Sequence, residues 1–144
     1  MGIANTGSGK TAAFLIPMIN KGMLDSSQRF LIVVPTRELA MQIQDEFMQL
    51  ARNTGMRSVL IMGGNSMGKQ IGVLKRDPNF VIATPGRLKD LVGRKAIDLL
   101  RINNVVLDEV DRMLDMGFIE DIRFIISKLN EKKQSLFFSA TMNK

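Results

Sequence analysis

Five short apolar runs, at positions 30–35, 59–62, 80–84, 104–109 and 134–139, recur along the chain and each gives way to a polar or glycine-rich segment. The runs are nearly unbroken in hydrophobicity, so each reads as a strand buried on both faces rather than one with a solvated side. Helix-period patterns fill the intervals. In 37–54, Leu39, Ile43, Phe47 and Leu50 share one stripe, with Thr36 as N-cap and Gly55 as the stop. In 118–130 the stripe is Phe118, Ile122, Ile125 and Leu129, and shorter helical pieces are predicted at 67–75 and 87–92. The segment 10–23 is apolar almost all round, which predicts deep burial, and Pro17 predicts a bend because it removes the bond to the Ala13 carbonyl. Alternation of this kind dictates an α/β fold, a mostly parallel sheet with helices on both faces. Ligands of such sheets gather at the carboxyl ends of the strands. Polar or glycine-rich sequence follows every run: Pro35-Thr36-Arg37, Gly63-Gly64, Thr84-Pro85-Gly86-Arg87, Asp108-Glu109-Val110-Asp111 and Ser139-Ala140-Thr141.

Composition narrows the chemistry. A length of 144 residues is about one domain, and 45% hydrophobic with 24% charged residues is ordinary for a soluble globular chain. There is no cysteine and no histidine, so disulfides, thiolate or imidazole metal ligands and histidine acid–base catalysis are excluded. A general base must be a carboxylate or a lysine. The net charge of +6 favours a polyanionic partner such as nucleic acid. Tryptophan and tyrosine are absent and the eight phenylalanines sit mostly at core spacings, which argues against a base-stacking platform and for contact with the backbone. The eleven methionines lie mostly in apolar stripes, as core gap-fillers do. No apolar stretch reaches membrane-spanning length and the start lacks the pattern of a secretion signal. The expected location is the cytoplasm, or the nucleus or nucleolus in a eukaryote.

Two motifs carry the chemistry. Ala4-Asn5-Thr6-Gly7-Ser8-Gly9-Lys10-Thr11 has the small residues that let backbone N–H groups curl around phosphate oxygens, ahead of a helix N-terminus that favours an anion. Ala4, Thr6, Gly7, Ser8 and Gly9 would form the cradle, Lys10 would reach the outer phosphates, and the Thr11 hydroxyl would ligate Mg²⁺. The common pattern has glycine where Ala4 stands. The second motif is Asp108-Glu109, straight after Val105-Val106-Leu107. In a phosphate-loop enzyme an acid at a neighbouring strand end holds the magnesium, a role that fits Asp108, and the adjacent Glu109 could orient or deprotonate an attacking water. ATP and Mg²⁺ are therefore the expected cofactors. Taken alone, the loop could be a glycine-rich helix cap and the acids a solvated helix start.

In order and spacing, the segments at 4–11, 35–40 (Pro35-Thr36-Arg37-Glu38-Leu39-Ala40), 63–64, 84–87, 108–111 and 139–141 resemble the motifs of the DEAD-box RNA helicases. Arg112-Met113-Leu114-Asp115-Met116-Gly117-Phe118 is similar to the segment that follows the acidic motif in that family. The resemblance covers essentially the whole chain, 1–144. It implies a RecA-like P-loop domain, the first of two in such a helicase. It also implies that Arg37, Gly64, Thr84, Pro85 and Arg87 line a path for RNA and grip its sugar–phosphate backbone. Asp111, Ser139 and Thr141 would hydrogen-bond one another and couple the nucleotide site to that path. Gln70, a polar position the family often shares, reads as structural.

Three departures accompany the resemblance. Val110 stands where the family has the alanine of its name, an overpacking risk at a close-packed position. Only Met1-Gly2-Ile3 precede the phosphate loop, so the domain is expected to lack most of its central P-loop strand and the adenine-contacting segment before it. The second RecA-like domain, a partner of the first, is expected to be missing too. Such a fragment is expected to rearrange, to self-associate or to bind ATP poorly, since an unpaired central edge leaves backbone groups without partners. The competing readings are a DNA-directed helicase of the wider superfamily and a non-catalytic RNA- or protein-binding module.

Overall fold

The computed structural model describes the backbone of residues 8–137 and the side chains of residues 9–135. Helix α1, Ser8–Leu24, leads into strand β1, Phe30–Val33, followed by α2, Arg37–Leu50, and β2, Ser58–Ile61. Then come α3, Met67–Leu74, β3, Phe80–Ala83, α4, Pro85–Gly93, and a short 3-10 turn at Leu99–Arg101. Strand β4, Asn104–Leu107, the helices α5, Val110–Asp115, and α6, Ile119–Ser127, and β5, Gln134–Phe137, complete the described chain. The five strands form one parallel sheet in the order β2-β3-β1-β4-β5. This is the α/β architecture that the alternation predicts.

Both faces of the sheet are covered, which is why the strands carry no polar alternation. Phe30 and Ile32 of β1 point to the face packed by α1 and α2, beside Phe14, Leu15, Ile43 and Phe47. Leu31 and Val33 point to the other face, beside Leu88, Leu91, Met113, Ile122 and Ile125. Phe30 stacks on Phe80 with ring centroids 4.4 Å apart, and Phe47 lies 4.5 Å from Phe80. These rings are buried, so they hold the core and offer nothing to a base, as their spacing predicts.

Four local features differ from the sequence expectation. Helix α1 buries Phe14, Leu15, Met18 and Ile19 but exposes Ile16 and Met23, because a helix lying on one sheet face covers only one of its own stripes. Helix α2 stops at Leu50, short of position 54, since the Thr54 hydroxyl takes the Ala51 carbonyl and Asn53 turns left-handed at φ 67°. Helix α5 is additional, and Glu109 starts it from a left-handed conformation, φ 57° and ψ 50°. Val110 packs against the core on the α4–α6 face but is only half-buried, so its extra methyl groups have room.

Candidate functional site

The chain runs from β1 out to the edge strand β2, back to β3, and then crosses β1 to lay down β4. The order therefore reverses between β1 and β4, and the helices that follow these two strands leave to opposite faces. A crevice must open at their carboxyl ends. It is a cavity of about 440 Å³ whose polar lining includes Lys10, Thr11, Thr36, Glu38, Asp108 and Glu109. The two motifs read from sequence, nearly a hundred residues apart, meet here.

Asp108 is the electrostatic centre. It is only 2% exposed, and its backbone N–H continues the ladder by donating to the Val33 carbonyl at 3.0 Å. Lys10 Nζ lies 3.0 Å from Asp108 Oδ1, and apart from this ion pair the buried oxygen has no hydrogen-bond partner among the described residues. A buried carboxylate oxygen held by one ammonium group alone keeps lone pairs for a further ligand. Thr11 is buried on the same cavity wall. Among the described residues no three carboxylates cluster, so a cation here would draw on Asp108, the Thr11 hydroxyl and oxygens of a bound phosphate. Few protein ligands and many outside oxygens suit Mg²⁺.

Glu109 occupies a conformation that costs a non-glycine residue about 1–2 kcal/mol. The left-handed turn ends β4 abruptly and starts α5, which keeps the half-buried carboxylate at the cavity wall instead of carrying it along a strand. Its oxygen lies 3.3 Å from Arg112. Strain held at a cleft, beside a buried acid, is the pattern of a working residue. Asp111, exposed in the first turn of α5, is held by an interaction of its own.

A second cluster forms one strand away. Because β3 lies between β2 and β1, the turns after these three strands are neighbours. Gly64 adopts φ +87°, and a Cβ there would sit 2.9 Å from an Arg37 guanidinium nitrogen. Arg37 thus lies flat over a backbone that only glycine supplies. Arg87 reaches the same turn, donating to the Asn65 carbonyl at 3.1 Å and to Gln70 Oε1 at 2.9 Å. Thr84 is buried and caps α4 through its backbone, without a side-chain cap bond, and Pro85 fills the first helical position. Thr36 lines the cavity at Asp108 while the next residue, Arg37, belongs to this second cluster, so one peptide joins the two.

Gln70, read from the sequence as structural, joins two other segments. It is 5% exposed, and its Nε2 donates to the Met62 carbonyl at 2.9 Å while its Oε1 accepts from Arg87. Its sequence signal is one amide next to Lys69 in a short helix, which is too little to reveal two partners on other segments. Of the remaining candidates, Gly9 and Ser8 open α1, whereas Ala4, Thr6, Gly7, Ser139 and Thr141 lie outside the described residues.

Comparison with known proteins gives one answer. The family model described as DEAD/DEAH box helicase matches residues 1–144. A DEAD-box ATP-dependent RNA helicase CshA from Streptococcus pneumoniae is 48% identical over 143 residues, covering 99% of this chain and 27% of that protein. Its namesake from Bacillus subtilis is 45% identical, with 29% of its length covered. Among solved structures, a DEAD box protein from Methanococcus jannaschii superposes with a TM-score of 0.88 at 43% identity, over 97% of this chain and 38% of that one. A hypothetical ATP-dependent RNA helicase from Sulfolobus tokodaii gives 0.86 at 38% identity, over 98% and 41%. The chain therefore spans less than half of each of these relatives.

Proposed function

We propose that this chain, which belongs to the DEAD/DEAH box helicase family, is the first, nucleotide-binding domain of an ATP-dependent RNA helicase. Joined to a second RecA-like domain, it hydrolyses ATP and opens short RNA duplexes. The observation that carries the reading is the buried Asp108 oxygen paired with Lys10, in a cavity that the Thr36–Arg37 peptide joins to the arginine cluster on Gly64 and Asn65.

The residues divide the work. Residues 4–9 cradle phosphate through backbone N–H groups, and Lys10 leaves Asp108 to meet the outer phosphates. Thr11 and Asp108 would hold Mg²⁺, which would supply positive charge against the negative charge of the phosphates. Glu109 holds the attacking water by hydrogen bonding from the cavity wall. On the other cluster, Arg37 and Arg87 pair with phosphates of one RNA strand, while Gly64, Thr84 and Pro85 give it a close backbone surface. Contacts of this kind fix the strand's path without reading its sequence. Asp111, Ser139 and Thr141 link the two clusters.

The test uses the full-length enzyme. Glu109→Gln and Lys10→Ala should each abolish RNA-stimulated ATP hydrolysis, followed as phosphate release, with circular dichroism unchanged. Wild-type rates in either variant would refute these roles. Stimulation by single-stranded DNA equal to that by RNA would instead move the substrate to DNA.

A further inference from the structure

Strand β2 ends the sheet, and its outer edge is open. The ladder fixes which backbone groups face outward. Phe80 N donates to the Arg57 carbonyl and Thr84 N to the Ile61 carbonyl, so positions 57, 59 and 61 turn toward β3. Ser58 and Leu60 must then present their N–H and C=O to the open side, where no described backbone group meets them. Two adjoining hollows, of about 490 and 520 Å³, share Gln44, Ser58 and Val73 and run the length of this edge between α2 and α3. Their apolar lining includes Met48, which is 60% exposed, and Val73.

The charge around this groove is one-sided. Arg52, Arg57 and Arg76 line one hollow and Lys69 the other, and no aspartate or glutamate lines either. No ion pair holds any of these four among the described residues, whereas Arg29, Lys89, Arg94 and Arg101 each have an acidic partner. An open strand edge, flanking hollows that are partly apolar and cations without an acidic partner together specify a ligand. We propose that the β2 edge docks an extended acidic segment of a partner protein, which adds as a sixth strand. Its backbone pairs with Ser58 and Leu60, alternate apolar side chains enter the hollows, and its carboxylates meet Arg52, Arg57, Arg76 and Lys69. RNA shares the charge but has no strand to pair with the edge. The first hollow lies at the amino end of β2, away from the phosphate cavity, while the second reaches Gly64, Asn65 and Gln70 at the carboxyl end, beside the arginine cluster.

The competing role for the same charges is protection of an edge against aggregation. A panel of decapeptides alternating Glu or Asp with Val, Leu or Phe separates the two, titrated into ¹⁵N-labelled protein. Saturable shifts at Ser58, Leu60 and Val73 are expected. Methylating alternate peptide nitrogens on the pairing edge should abolish them, and methylating the opposite edge should not. The exposed-residue double variant Arg52→Glu, Arg76→Glu should weaken binding roughly tenfold. The proposal is overturned if no peptide of the panel gives saturable shifts, if both methylated forms bind equally, or if oligouridylate occupies the same residues more tightly than the peptides.

Discussion

The two ends of the sheet treat polar groups in opposite ways. At the amino end, Arg29 grips Asp77 with two nitrogens, at 3.0 and 2.6 Å, and Arg101 joins at 3.2 Å. Asn103 Oδ1 accepts from Arg29 N at 2.8 Å, and Lys21 Nζ donates to Asn104 and Gln134 at 2.6 and 2.7 Å. These contacts tie the strand starts to one another and to the last turn of α1. At the carboxyl end, Asp108 keeps a buried oxygen that meets only Lys10 among the described residues, Glu109 is held left-handed, and Arg37 stays exposed. A satisfied network stabilises a fold, while unmet groups on a rigid frame are held for something that arrives later.

The sharpest way to break this contrast is one aspartate at each end. Asp108→Asn should lower RNA-stimulated ATP hydrolysis in the full-length enzyme by about a hundred- to a thousandfold, the scale of losing one preorganised electrostatic group. It should leave the ligand-free melting temperature unchanged or raise it, because a buried carboxylate is removed and Lys10, 30% exposed, can turn to water. Asp77→Asn should do the reverse, lowering stability with turnover intact. Equal effects at the two ends, seen in paired melting and phosphate-release assays, would erase the distinction.

The same contrast explains what could be read from sequence. The strands were legible because both-face burial leaves an unbroken apolar run, and α2 because Ile43 and Phe47 mark one stripe. Asp108 and Lys10 were legible because each motif is local. The meeting of Arg37, Gly64 and Arg87 was legible only through the family resemblance, since it depends on β3 lying between β2 and β1, an order no local pattern encodes. Paired glycines announced only a turn, whereas the left-handed φ and the guanidinium over Gly64 come from the packed structure. Helix α5, Val110–Asp115, escaped because it is too short to show a period and starts from a glutamate in a conformation glutamate seldom adopts.

Gln70 sharpens the comparison because it is a satisfied group at the unsatisfied end. Gln70→Met keeps the volume but removes the donor to Met62 and the acceptor for Arg87. Stripping one partner from a buried pair costs about 1–3 kcal/mol, so the melting temperature should fall by several degrees. If Gln70 also positions Arg87, RNA affinity should drop and the Arg87→Ala change should then add little, a coupling read from a double-variant cycle. Full additivity would leave Gln70 with a structural role alone.

Gly64→Ala tests whether the close approach matters. Its backbone requires φ +87°, so a side chain there costs about 1 kcal/mol. The new Cβ also displaces the Arg37 guanidinium. RNA binding should weaken several-fold, with a shallower salt dependence by about one phosphate contact, while the KM for ATP stays put. An unchanged salt slope would mean that Arg37 does not contact phosphate.

The smallest effect belongs to the amino end and to acid. Hydrogen bonds from Arg29 hold the Asp77 carboxyl below the usual carboxylate range, with Arg101 adding to the pull. A carboxyl with a depressed value in the folded chain takes up its proton more readily when unfolded. Its stabilisation is therefore complete above the ordinary carboxylate range and is lost as pH falls through the depressed value. Asp77 is 42% exposed, so solvent screening leaves the pair worth only about 0.5 kcal/mol. Asp77→Asn should lower the urea midpoint slightly at neutral pH and converge with the parent chain in strong acid. A difference that persists below that range would show that the aspartate acts through shape, and that the amino end is held by packing more than by charge.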